Sequence, residues 1–134
     1  MNNKHYTCPF SSLILSGRCG CTFAAKDCVA EKEFGTCVNK SASDNCQALY
    51  HLLRDNSNFV LKSHNKNNLS VGQQSKIKMG GLLALQEIVN QSNADKIDNI
   101  TVLVDEVQKR YEGFKNIPFS QLMPKISAFK FRQR

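Results

Sequence analysis

Beyond residue 40, apolar residues recur at helical spacing. Taking about 100° per residue, Cys46, Leu49, Leu52, Leu53, Phe59 and Val60 fall within one arc. That arc predicts an amphipathic helix with Ser41 or Ser43 as N-cap and Asp44 in the first turn, where a carboxylate suits the macrodipole. Cys46 then faces inward and His51 outward. A polar, Asn-rich stretch from Ser63 to Ser75 reads as a loop. A second helix follows on Ile77, Leu82, Leu85, Ile88 and Val89, with Gly80-Gly81 inside it. Each of those glycines costs roughly 1 kcal/mol relative to Ala, so the pair marks either a close backbone approach or a kink.

A third helix is expected over Asp95–Glu112. Ile97, Ile100, Leu103, Val104, Val107 and Tyr111 form its stripe, with Asp95 and Asp98 at its start and Lys109 and Arg110 near its end. A fourth begins at Pro118, a residue suited to a first helical turn. Its stripe is Phe119, Leu122, Met123, Ile126 and Phe129, interrupted by Pro124.

The first 40 residues carry no such stripe. They read as loops and short turns, with one helical piece from Phe23 to Glu33. Nothing alternates at period two for long, and no Asn-Gly or Asp-Gly hairpin signal is present. The expected fold is mainly α: a small single domain over residues 1–134. In it a cysteine-rich segment of loops and short helix, residues 1–46, packs on a bundle of three to four helices spanning 41–131.

Composition changes this picture at one point. All six cysteines lie within the first 46 residues, at positions 8, 19, 21, 28, 37 and 46. A segment with so few large apolar residues needs crosslinks or metal to order it. Soft thiolates suit zinc and iron, and four of them close a tetrahedral site or hold a cluster, although the spacing lacks the paired C-x2-C units of the common motifs. Cys19-Gly20-Cys21 is expected to turn both sulfurs toward one centre. Cys8, ahead of a proline, Cys37, just after Gly35, and inward-facing Cys46 are expected to converge on them. The candidate ligands are therefore Cys8, Cys19, Cys21, Cys37 and Cys46, while Cys28, between Asp27 and a charged run, fits least well. Arg18 and Lys26 would offset part of the thiolate charge. Wide dispersal of the ligands places an iron–sulfur cluster, of the 4Fe-4S type, slightly ahead of zinc. A role in electron transfer, redox sensing or structural support would follow.

Two alternatives stand beside this reading. Three disulfides in an exported protein would use all six cysteines, with fifteen possible pairings. No export signal is evident, however, and a cytoplasmic location keeps thiols reduced. A basic interaction module is the other alternative, since 18 Lys and Arg against 11 Asp and Glu give a formal charge of +7. Its contacts to an acidic protein or nucleic acid would come from Lys62, Lys66, Lys76 and Lys78, in a stretch free of acids, and from Lys130 and Arg132, which alternate with Phe129 and Phe131. No apolar run approaches the roughly 20 residues of a membrane span. No catalytic constellation stands out: His5, His51 and His64 have no evident thiol partner, and Gly80-Gly81 lacks the rest of a phosphate-binding loop. Binding, not catalysis, is the expected activity.

Overall fold

A computed structural model describes residues 6–29, 32–60, 70–91 and 94–130, without the side chains of 26–29, 32–35 and 58–60. The fold is mainly helical, with a small three-stranded sheet at its N-terminal end. In chain order the elements are β1 (Tyr6–Thr7), α1 (Ser11–Leu15), β2 (Ala24–Val29), β3 (Lys32–Cys37), α2 (Lys40–Val60), α3 (Val71–Asn90), α4 (Ile100–Tyr111) and α5 (Phe119–Ala128).

The helix expected from Phe23 to Glu33 is instead an antiparallel hairpin. Ala24 pairs with Cys37, and the register runs to Val29 against Lys32. Its Ala, Lys and Glu residues favour helix locally, but the ladder satisfies the backbone once β3 lies between β1 and β2. Gly35 and Thr36, poor helix formers, sit in that central strand.

The four long helices stand where the stripes place them, with corrections at their ends. Asn39 caps α2 in place of Ser41 or Ser43: its Oδ1 accepts from the Ala42 amide. Ser43 is buried and donates to the Thr7 carbonyl, tying α2 to β1. The second stripe begins within the stretch expected as loop, because Ser70 and Gln73 form a reciprocal capping box that starts α3. Residues 63–69 of that stretch lie outside the described residues. The third helix starts five residues later than expected. Asn99 caps α4, and Ile97 is drawn instead into a bridge with Cys19, so neither Asp95 nor Asp98 falls in the first turn.

Leu49, Leu53, Ile77, Leu82, Leu85, Ile100, Leu103, Val107, Leu122 and Ile126 share one core with Phe10 and Leu13 of the N-terminal segment. Gly80-Gly81 proves to be a close approach. A Cβ on Gly80 would stand 3.0 Å from the Ile126 Cα of α5, and one on Gly81 would stand 2.9 Å from the Leu53 side chain of α2.

Candidate functional site

The sheet and the start of α2 gather cysteines at one end of the molecule. Thr7 is the last paired residue of β1, and Cys8 follows at once. Cys37, the last residue of β3, lies between Tyr6 on one side and Ala24 on the other. A tight turn, in which the Ala24 amide donates to the Cys21 carbonyl, sets Cys21 just before β2. Asn39 then starts α2 two residues after Cys37, and Cys46 comes up one turn beyond Ala42. Cys8, Cys21, Cys37 and Cys46 consequently line one small cavity, with Thr36, Ser43, Ile100 and Thr101 among its other walls. Its volume, about 10 Å³, is room for one water-sized sphere.

Two of the sulfurs in this wall, those of Cys37 and Cys21, have hydrogen-bond partners outside the cysteine group. Cys37 donates to the Asn39 carbonyl at 3.2 Å. The Cys21 sulfur lies 2.8 Å from the Thr101 hydroxyl, and either atom can donate. The five described cysteines are free thiols. As they stand, no three His, Cys, Asp or Glu side chains among the described residues are arranged to hold a metal ion.

Cys19 is placed elsewhere. Its backbone segment is extended and bridged to Ile97, with the Gly20 amide donating to the Ile97 carbonyl at 2.8 Å. The Cys19 thiol enters the core and donates to the Met79 sulfur at 3.7 Å, and it is not among the residues that line the cavity with Cys21. Glycine is required at position 20 for proximity: a Cβ there would stand 2.5 Å from the Asp98 carbonyl oxygen. Cys28 pairs with Glu33 in the hairpin, and its side chain lies outside the described residues.

Burial raises the pKa of three of these thiols, Cys8, Cys19 and Cys46. Burial pushes the Cys46 thiol up to about 12, and the nearby Cys8, Cys21 and Cys37 add to the rise. Cys8 is pushed to about 11, mainly by burial, with partial relief from the Phe10 amide and the Lys78 ammonium. Cys19 rises to about 12 by burial, partly offset by its hydrogen bond to the Ile97 backbone.

Three contributors escaped the sequence reading: Thr101, Asn39 and Lys78. Lys78, expected as a basic contact to an acidic partner, is half-buried with its ammonium 5.0 Å from the centre of the Tyr50 ring. Lys76 and Lys130 are described, whereas Lys62, Lys66 and Arg132 lie outside the described residues. No helix among the described residues is long and apolar enough to cross a membrane. No family model matches the chain, and neither the curated proteins nor the solved structures contain a match to it.

Proposed function

We propose that the protein binds a thiophilic metal ion through Cys8, Cys21, Cys37 and Cys46. The observation that carries this reading is the convergence of four thiols, from four separate stretches of chain, on one cavity. Four is the number that closes a tetrahedral all-sulfur site. Binding requires the thiols to lose their protons and turn inward, with Cys37 giving up the Asn39 carbonyl and the Thr101 hydroxyl left to donate to the Cys21 thiolate. The small volume favours a single ion, zinc, over the iron–sulfur cluster that dispersed cysteines alone suggest. Cys19 is left out of the ligand set because its sulfur faces Met79.

The test is metal analysis of the anaerobically purified chain, paired with single Cys→Ser variants. One zinc per chain is expected, lost on substitution of Cys8, Cys21, Cys37 or Cys46 and retained in Cys19→Ser. Iron with inorganic sulfide would replace zinc by a cluster at the same residues. Neither metal, with every thiol titratable, would remove the reading.

A further inference from the structure

The four thiols of the cysteine cavity differ in access. Cys8 and Cys21 are partly exposed, whereas Cys37 and Cys46 are buried. Cys37 is further occupied in donating to the Asn39 carbonyl. Of the sulfurs around Cys8, that of Cys21 acts on it most strongly through space. The two belong to the outer strands of the sheet: Cys8 directly follows β1, and Cys21 precedes β2 by a single turn. Small side chains, Ala24, Thr36, Ala42 and Ser43, line the cavity beside them and leave the sulfurs room to rotate into its one water-sized space. As the side chains stand, no three among the described residues are arranged to hold a metal ion, but a disulfide asks for two sulfurs only.

We propose that Cys8 and Cys21 form a reversible dithiol–disulfide pair, in which Cys21 reacts with a small hydroperoxide and Cys8 is the thiol that resolves it. This goes beyond the metal-binding reading and does not rest on it, although both draw on the same two sulfurs. Cys21 is the partly exposed sulfur with a hydroxyl at hand: Thr101, 2.8 Å away, can donate to it as the anion. The Cys21 thiolate attacks one peroxide oxygen. Its S–O bond forms as the O–O bond breaks, and the hydroxide released takes up a proton to leave as water, with Cys21 left as a sulfenic acid. The Cys8 sulfur then attacks the sulfenic sulfur, and the S–S bond forms as the S–O bond breaks. That second hydroxide carries off the Cys8 proton as water. Two thiols are oxidised to one disulfide, and one peroxide is reduced to water. The bond closes a loop around α1 and ties the end of β1 to the approach of β2.

The experiment uses the full chain, reduced, freed of metal and kept in a chelator, with hydrogen peroxide as the oxidant and iodoacetamide to block the thiols that remain. Intact mass before blocking should fall by two hydrogens and recover on addition of dithiothreitol. Tryptic cleavage after Arg18 separates Cys8 from Cys21, so the bond is expected to hold those two peptides together, with fragmentation placing it at Cys21 and not at Cys19. Cys8→Ser is expected to stop at the sulfenic acid of Cys21, which dimedone traps. Cys21→Ser should lose no hydrogens, while Cys37→Ser and Cys46→Ser should match the parent. Where Cys21→Ser fails to fold, the peptide map of the parent and the dimedone adduct of Cys8→Ser decide the matter. A bond mapped to any other pair, or a parent whose mass does not fall by two hydrogens, overturns the proposal. Because the chelator keeps metal out, either result leaves the zinc measurements to stand or fall on their own.

Discussion

Thr101 shows how much one hydroxyl can decide at the cysteine centre. With Cys21 as a thiol, either partner donates across their 2.8 Å contact. With Cys21 as a metal-bound thiolate, the hydroxyl is the sole donor, and hydrogen bonds to charged acceptors contribute about 1.5–3 kcal/mol. Thr101→Val keeps the shape and removes the donor, so it is expected to weaken zinc affinity by at least about tenfold, the usual scale for groups that support a metal ligand. Thr101→Ser should restore it in a chelator-competition titration; equal losses in both variants would mean that packing at position 101, and not the donated hydrogen bond, sets the affinity. Burial acts on the metal-free state instead. Cys8, Cys19 and Cys46 ionise near 11, 12 and 12, above the ordinary thiol value of 9.0. Below pH 9 folded and unfolded chains both keep these protons, and the stability is fully present. As pH rises above 9 the unfolded chain ionises first and binds fewer protons, so stability falls until the folded values are passed. Metal-free protein should therefore lose thermal stability from about pH 9 upward, and a melting temperature that stays flat to about pH 11 would contradict this. Zinc affinity should move the other way and rise with pH, because binding displaces the Cys8 and Cys46 protons.

The elements divide into those that a local pattern specifies and those that only pairing specifies. Four helices are legible because each stripe repeats over three or more turns, and Leu49, Leu82, Val107 and Leu122 are buried as their spacing requires. The β2–β3 hairpin is not legible. Its residues read as good helix formers, and the partner that makes β3 a central strand, β1, is only two residues long. Helix starts are misplaced for a similar reason: Asn39 and Asn99 win the caps through contacts that a list of Ser and Asp candidates does not rank. Gly80 tests whether close approach explains the glycine pair. Alanine there gains up to about 1 kcal/mol of helix propensity but meets the α5 backbone at 3.0 Å, and overpacking costs about 1–3 kcal/mol. Gly80→Ala is expected to be net destabilising by about 1 kcal/mol in urea unfolding. Gly72→Ala, near the start of the same helix with open space around it, should be neutral or stabilising. A stabilised Gly80→Ala protein would mean that α5 yields and that the approach is not required.

For the whole molecule, the question is what orders the N-terminal third. Phe10 and Leu13 reach the common core, but Cys8 and Cys21 are only partly buried, and the sheet has one strand of two residues. The bundle supplies most of its own core, since α3 lies against α2, α4 and α5 with Gly80 and Gly81 closed over by Ile126 and Leu53. The site was legible to the extent that all but one of the cysteines singled out as ligands line the same cavity. Thr101 was not, because its contact to Cys21 spans 80 residues of sequence and leaves no local signature. Two unequal parts of one chain should respond differently to metal. Ligand binding to the native state adds about 4 kcal/mol when the free ligand is a thousandfold above its dissociation constant, less whatever the unfolded cysteines bind. If the cysteine centre orders its own surroundings, amide exchange should slow on zinc addition from Cys8 to Cys21 and along β3, while α3, already held by the core, changes little until global opening. Equal slowing along both segments would instead mean that the N-terminal third and the bundle open as one unit, with the metal stabilising the whole domain and not a local fold around the four sulfurs.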